Sequence, residues 1–268
     1  MNAAFRHNDG DLPLLISVPH DGRDIPDDIA GRMSDVGLSI PDTDWHVAQL
    51  YEFATEMGAS TVVANCSRYV IDLNRSADDA ALYPGQIATG LCPLQSFSGA
   101  AIYRSGGVED DEKAARVAQY WRPYHEHIRN TLDALRARHG YALLWDAHSI
   151  PSVVPRLFNG ELPELNLGSN DSASCSRSIE DAVAADATAS RYSAAINGRF
   201  KGGYITRHYG EPEKHIHALQ LEIAQRAYMN EVSTTFDAAK ADKLRDILRK
   251  MLQSFLHAAH RCRLHDEK

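Results

Sequence analysis

Three short runs in this chain are apolar at consecutive positions instead of alternate ones. Leu14-Leu15-Ile16-Ser17-Val18, Tyr141-Ala142-Leu143-Leu144-Trp145 and Ala218-Leu219-Gln220-Leu221-Glu222-Ile223 leave almost no polar face. Strands of that kind must be covered on both sides, as happens in parallel sheets whose crossovers are helices. Segments with helical periodicity lie between them. Trp45 to Met57 carries Val47, Leu50, Tyr51 and Ala54 at i, i+3, i+4 and i+7 and stops at Gly58. Residues 109–139 read as a long amphipathic helix with Pro123 as a break point and Gly140 as its end. Residues 181–197 read as helical, and 237–260 close the chain with Leu244, Ile247, Leu248, Met251 and Phe255 on one face. Further β elements are read at 59–64, 69–73 and 202–206. This alternation predicts an α/β fold: a three-layer α/β/α sandwich around a mostly parallel mixed sheet.

The 268 residues fit one domain covering 1–268, with no internal repeat and no low-complexity linker. The stretches 76–108 and 150–180 are rich in Gly, Ser, Asn and Pro, and their length marks them as functional loops. With 36 acidic against 28 basic residues, the chain has no general attraction for nucleic acid or anionic lipid. An anionic small molecule would have to be met by local arginines. Cys66, Cys92, Cys175 and Cys262 are scattered, which fits free thiols in a reducing compartment. Residues 1–11 lack an apolar signal core, and no later run reaches the ~18 apolar residues of a membrane span, so a soluble cytoplasmic protein is expected.

Ligands of open α/β sheets bind beyond the carboxyl ends of the strands, which directs attention to the polar residues there. His20 and His148 each follow a buried run. Asp146, two residues before His148, is spaced either to accept the second ring N–H of that histidine or to be a ligand itself. Asp42-Thr43-Asp44 supplies carboxylates at a helix start, where an N-cap role competes with a ligand role. Two histidines and one carboxylate form a known catalytic zinc set. Arg68-Tyr-Val-Ile-Asp-Leu-Asn74-Arg75 places Arg and Asn at the ends of an apolar stretch, residue types suited to a substrate carboxylate or a developing oxyanion. Glu222 interrupts a buried run, so it must be paired or face a cavity, and beside a metal it would be a natural general base. His208, His215 and His217 rank below these, and His125 and His127 lie on different helix faces, which disfavours a metal pair. His257, His260 and His265 read as exposed. No phosphate loop and no G-x-S-x-G elbow is present.

Taken together, Ser17-Val-Pro-His-Asp-Gly22, Asp42-Thr-Asp-Trp45, Ser67-Arg-Tyr-Val-Ile-Asp-Leu-Asn-Arg75, Asp146-Ala-His-Ser149, Asn197-Gly-Arg-Phe-Lys-Gly-Gly-Tyr-Ile-Thr-Arg207 and Leu219-Gln-Leu-Glu222 resemble the N-formylglutamate amidohydrolases over about residues 12 to 231. The resemblance implies hydrolysis of N-formyl-L-glutamate to formate and L-glutamate in histidine degradation. It also implies a fold similar to the zinc carboxypeptidases and the aspartoacylase group. From those relatives it implies one divalent metal, with zinc expected, held by His20, Asp44 and His148. The His-x-x-Glu motif of the relatives is absent, since Arg23 follows His20 by three, so Asp42 and Asp24 stand behind Asp44 as second ligand. Arg68 would polarise the scissile carbonyl, Asn74 and Arg75 would hold the α-carboxylate, and Glu222 would be the general base. Arg156 and Arg207, in the loop-rich segments, are the candidates for the side-chain carboxylate. A hydrolase of another N-acyl or N-carbamoyl amino acid, and a non-catalytic binder of dicarboxylic amino acids, remain as alternatives.

Overall fold

The protein is described by a computed structural model covering residues 3–80 and 89–266. Part of the 76–108 loop and the side chain of His265 therefore lie outside the described residues. Seven strands form one sheet, β1 (Phe5–Asn8), β2 (Leu14–Val18), β3 (Ser60–Ala64), β4 (Ala142–Ile150), β5 (Leu165–Gly168), β6 (Ala194–Ile196) and β7 (Ile216–Ala224), in the order β1-β3-β2-β4-β7-β5-β6. The central four, β3, β2, β4 and β7, are mutually parallel. On the flanks, β1 runs antiparallel to β3 and β5 antiparallel to β7. Helices cover both faces, completing the three-layer α/β sandwich that the continuous apolar runs require.

The period-2 rule of strands divides β4 between the two faces. Leu143, Trp145 and Ala147 pack with Val183 of the helix Arg177–Thr188 and with Leu248 and Phe255 of the helix Ala238–Asp266. Ala142 and Leu144 pack with Tyr124, Ile128 and Leu132 of the helix Arg122–His139. Asp146 and His148 continue this second face, and the register pairs His148 with Glu222, Asp146 with Gln220 and Ser17 with Asp146. All nine residues of β4 and all nine of β7 are buried. The site thus grows out of one sheet face.

Several local expectations change. Strand β4 runs through Asp146 and His148 instead of stopping at Trp145, because both polar side chains find buried partners on neighbouring strands and loops. Residues 69–73 are not a strand. Val70 N bonds Ser67 O at 2.8 Å, and the chain bends to carry Asp72 inward. The stretch after Gly202-Gly203 is the helix Tyr204–Tyr209, entered through Gly202 at φ +118°, where a side chain would be strained. Gly203 is fixed by space, since a Cβ there would lie 2.2 Å from Asn74 Nδ2. The 181–197 segment splits into helix and the strand β6, whose backbone pairs with β5. Pro123 does not end its helix: a π turn, Val117–Trp121, precedes it and the helix continues to His139. All four cysteines are free thiols, and among the described residues no helix is long and apolar enough to cross a membrane.

Candidate active site

At the carboxyl end of the central strands a loop, a short connection and two strands converge. His20 follows β2, and its carbonyl receives the amide of Asp44 at 3.1 Å, which draws the 42–45 segment over the strand ends. Asp44 Oδ2 lies 3.0 Å from His148 Nδ1 and 3.7 Å from His20 Nδ1, and it accepts the Ser149 amide at 3.1 Å. The imidazoles of His20 and His148 are 4.9 Å apart, and all three side chains are buried. One atom from each of His20, Asp44 and His148 can be chosen so that all lie within 4.8 Å of one another, and no other such group of His, Cys, Asp or Glu occurs among the described residues. Asp42 turns instead to the Phe97 amide at 2.7 Å, and Asp24 lies by Cys66 on a different cavity, so neither joins the cluster.

The outer nitrogens of the two histidines are held. His20 Nε2 faces Asp72 Oδ1 at 2.8 Å, and His148 Nε2 lies 3.1 Å from Asp146 Oδ2 and 2.9 Å from Asn74 Nδ2. A carboxylate behind each ring fixes the proton on Nε2 and turns Nδ1 inward as a donor pair for a cation. Two atoms of the cluster, His20 Nδ1 and Asp44 Oδ1, are buried without a hydrogen-bond partner. Buried polar atoms are almost always satisfied, and two lone pairs left open beside a third inward ligand fit a cation. Burial works against a charged Asp44, but His148 and His20 outweigh it and hold its carboxyl well below the usual range. Burial likewise opposes charge on His148, and Asp146 with Asp44 raises its pKa well above that of a free imidazole.

Arg68 is buried against the same cluster. Its Nη2 bonds Asp72 Oδ2 at 2.8 Å, its Nη1 lies 3.5 Å from Asp44 Oδ1, and its guanidinium covers the Phe97 ring at 4.9 Å. Burial alone would weaken its charge; Asp72, Asp44 and Asp42 raise its pKa and keep it cationic. Glu222, in register with His148 and lining the cavity, is pushed up to about 8 by burial, a shift that His148 reduces and Asp44 increases. The cavity enclosed by these groups measures about 110 Å³. That is several times the ~10–15 Å³ needed to admit a single water.

The arginines divide differently from the sequence expectation. Arg75 lines the cavity, with Nε on Thr89 O at 2.8 Å and Nη1 on Asn74 O at 3.0 Å. Asn74 also lines it, but its amide is engaged: Nδ2 donates to Asp146 Oδ2 at 3.4 Å, and Oδ1 accepts the Ile205 N–H at 2.8 Å. Arg156 and Arg207 are absent from the lining. Arg156 is drawn to Ser96 O at 3.0 Å and Gln95 Oε1 at 2.6 Å, and Arg207 Nε to Gly202 O at 2.9 Å. Arg199, inside the Asn197-Gly-Arg-Phe motif, lines the cavity in their place. His215 and His217 sit at the amino end of β7, with His217 five residues, about 16 Å of strand, before Glu222. His208 stacks on Tyr204 outside the lining. Asp72 was the residue that sequence reasoning passed over. A lone carboxylate within Val70-Ile71-Asp72-Leu73 is the signal that could have found it, since a buried carboxylate demands partners.

Comparison with known proteins extends these observations. The family profile described as N-formylglutamate amidohydrolase matches residues 12–229. The chain is 48% identical over 261 residues to an N-formylglutamate deformylase of Pseudomonas putida, covering 96% of this chain and 97% of the relative. It is 47% identical to the N-formylglutamate deformylase of Pseudomonas aeruginosa, with the same coverage. A crystal structure of an N-formylglutamate amidohydrolase from Ralstonia eutropha superposes with a TM-score of 0.80 at 25% identity, over 97% of this chain and 98% of that one. Sequence agreement at this level along nearly the whole length, on the same fold, means that the chain belongs to the N-formylglutamate amidohydrolase family.

Proposed function

We propose that this protein hydrolyses N-formyl-L-glutamate to formate and L-glutamate, as a step of histidine degradation, with a divalent cation held by His20, Asp44 and His148. The observation that carries this reading is the buried cluster itself: three inward ligands, two of them with unpartnered atoms, beside a glutamate and an arginine in one small cavity. The relatives named N-formylglutamate deformylase support the choice of substrate. Two imidazoles and one carboxylate favour zinc, which when bound would supply Lewis acidity, lowering the pKa of the attacking water and polarising the formyl carbonyl.

The chain's own residues carry the remaining work. Glu222 takes the proton of the attacking water and returns it to the amine nitrogen as the C–N bond breaks. Arg68, anchored on Asp72, donates to the oxyanion that develops on the formyl oxygen. Asp146 and Asp72 hold the two imidazoles in the ligating tautomer. Arg75 and Arg199, both lining the cavity, neutralise the two carboxylates of the substrate, which an acidic protein must accept against its own net charge. Asn74 donates to the Asp146 carboxylate that holds His148 and so joins it to the Arg75 segment. Formate release from N-formylglutamate, beside N-formylaspartate and N-acetylglutamate, with and without a chelator, tests the reading. Fastest turnover of N-formylglutamate, abolished by the chelator and restored by zinc, is expected. Equal turnover of N-acetylglutamate, or full activity in the chelator, would overturn it.

A further inference from the structure

The segment Leu73-Asn74-Arg75 belongs to no helix or strand, yet it brings two side chains to the cavity. Its amides are held from within, Asn74 N by Asp72 Oδ1 at 2.9 Å and Arg75 N by Asp72 O at 3.2 Å. Two of its carbonyls are held from outside by one helical ridge. His125 Nε2 donates to Leu73 O at 2.9 Å, and Trp121 Nε1 donates to Arg75 O at 2.9 Å. Because a carbonyl only accepts, His125 carries its proton on Nε2, and its Nδ1 faces the Tyr209 hydroxyl at 2.9 Å. The Trp121 and His125 rings stack at 3.8 Å and 25°, and the His125 and Tyr209 rings lie 12° from parallel with centroids 5.8 Å apart.

The helix is irregular where it does this. Trp121 is the last residue of the π turn, two residues before Pro123. Proline lacks an N–H and its ring clashes with the carbonyl four residues back, a conflict that a widened turn relieves. Beyond the π turn, Trp121 and His125, four residues apart and so on one helix face, hold the carbonyls on either side of Asn74. The Trp121 ring is only half-buried, so simple packing does not require its N–H to be spent on a loop carbonyl.

We propose that Trp121 and His125 are positioning residues, a two-point clamp that holds Leu73-Asn74-Arg75 in the geometry in which Arg75 meets a substrate carboxylate. This rests on the reading that Arg75 binds such a carboxylate. A clamp of this kind acts on binding in the ground state and the transition state alike, so its loss raises KM and spares kcat.

Trp121→Phe keeps an aromatic ring against His125 while removing the indole N–H with part of the ring, and the KM-against-kcat split makes it the informative change. On the zinc-loaded enzyme, KM for N-formylglutamate and the calorimetric Kd for L-glutamate should both rise roughly 3- to 10-fold, the worth of one neutral hydrogen bond, with kcat within about 2-fold. In an Arg75→Lys background the same change should add little, because both act through one contact. The clamp is wrong if Arg75→Lys weakens binding while Trp121→Phe leaves KM and Kd unchanged, or if the two effects are independent. Unchanged binding in Arg75→Lys would overturn the reading of Arg75 and the clamp with it.

Discussion

Asp72→Asn is the substitution in which the structure commits itself most fully. The carboxylate is wholly buried and accepts three hydrogen bonds: from His20 Nε2 at 2.8 Å, Arg68 Nη2 at 2.8 Å and the Asn74 amide at 2.9 Å. Burial disfavours its charge, but His20, Arg68 and Arg75 hold its pKa well below the ordinary carboxylate value. An asparagine of the same size keeps one acceptor and turns an NH₂ toward a donor whichever way it flips. If the oxygen stays with Arg68, the NH₂ confronts His20 and the Asn74 amide; if it stays with them, Arg68 is left with Asp44 at 3.5 Å. One charge-assisted bond and the buried pairing of Arg68 are lost, which costs about 2–4 kcal/mol. The His20 ring also loses the partner that fixes its tautomer, a change that weakens metal binding by about 10- to 100-fold in comparable arrangements. Urea unfolding of the metal-free protein and competition titration of zinc measure the two effects separately. Wild-type stability together with wild-type zinc affinity would refute the argument that Asp72 couples His20 to Arg68.

Other expectations follow from the same geometry. Glu222→Gln should retain fold and zinc stoichiometry and lose at least ~10²-fold in kcat; near-normal turnover would remove Glu222 from the proton-transfer role. Arg199→Ala should raise KM for N-formylglutamate by about 10-fold or more, as expected when a charge-assisted contact is lost, while Arg156→Ala, outside the cavity lining, should change KM by less than about 3-fold. The reverse order would restore Arg156 as the contact for the side-chain carboxylate. His125 has its pKa lowered from 6.5 to about 3, chiefly by burial, partly offset by its bond to Leu73 O and reinforced by His208. Between those values the unfolded chain takes up a proton that the folded chain refuses, so stability should fall as pH falls through that window, by about 1.4 kcal/mol per pH unit. Urea unfolding of wild type and His125→Gln between about pH 4 and 6 should show the steeper loss in wild type; equal slopes would mean that this histidine is protonated in the folded state.

The sequence alone determined the layers. Continuous apolar runs at 14–18, 141–145 and 218–223 have no polar face to give to water, so their burial between helices follows from composition over a few residues. It also pointed to His20, His148, Arg68, Asn74, Arg75 and Glu222, because polar groups at the ends of such runs, or breaking them, need a reason to be there, while Asp44 was singled out from Asp42 and Asp24 only through the family resemblance. It did not determine where strands stop. Asp146 and His148 lie inside β4 because partners from Ser17, Asn74 and Asp44 meet them there, and those partners are up to 129 residues away in sequence.

Only the tertiary structure decided which charges pair. Asp72 resembles a residue of a half-buried strand until the chain bends at Ser67 and brings it between His20 and Arg68. Arg156 and Arg199 both lie in loop segments, and they differ in that Gln95 and Ser96 draw one away while the loop before Tyr204 presents the other to the cavity. The physical reason is range. Hydrophobic burial is additive along a few residues and can be read locally, whereas a hydrogen bond or ion pair depends on an ångström-scale meeting of groups that only the assembled fold provides.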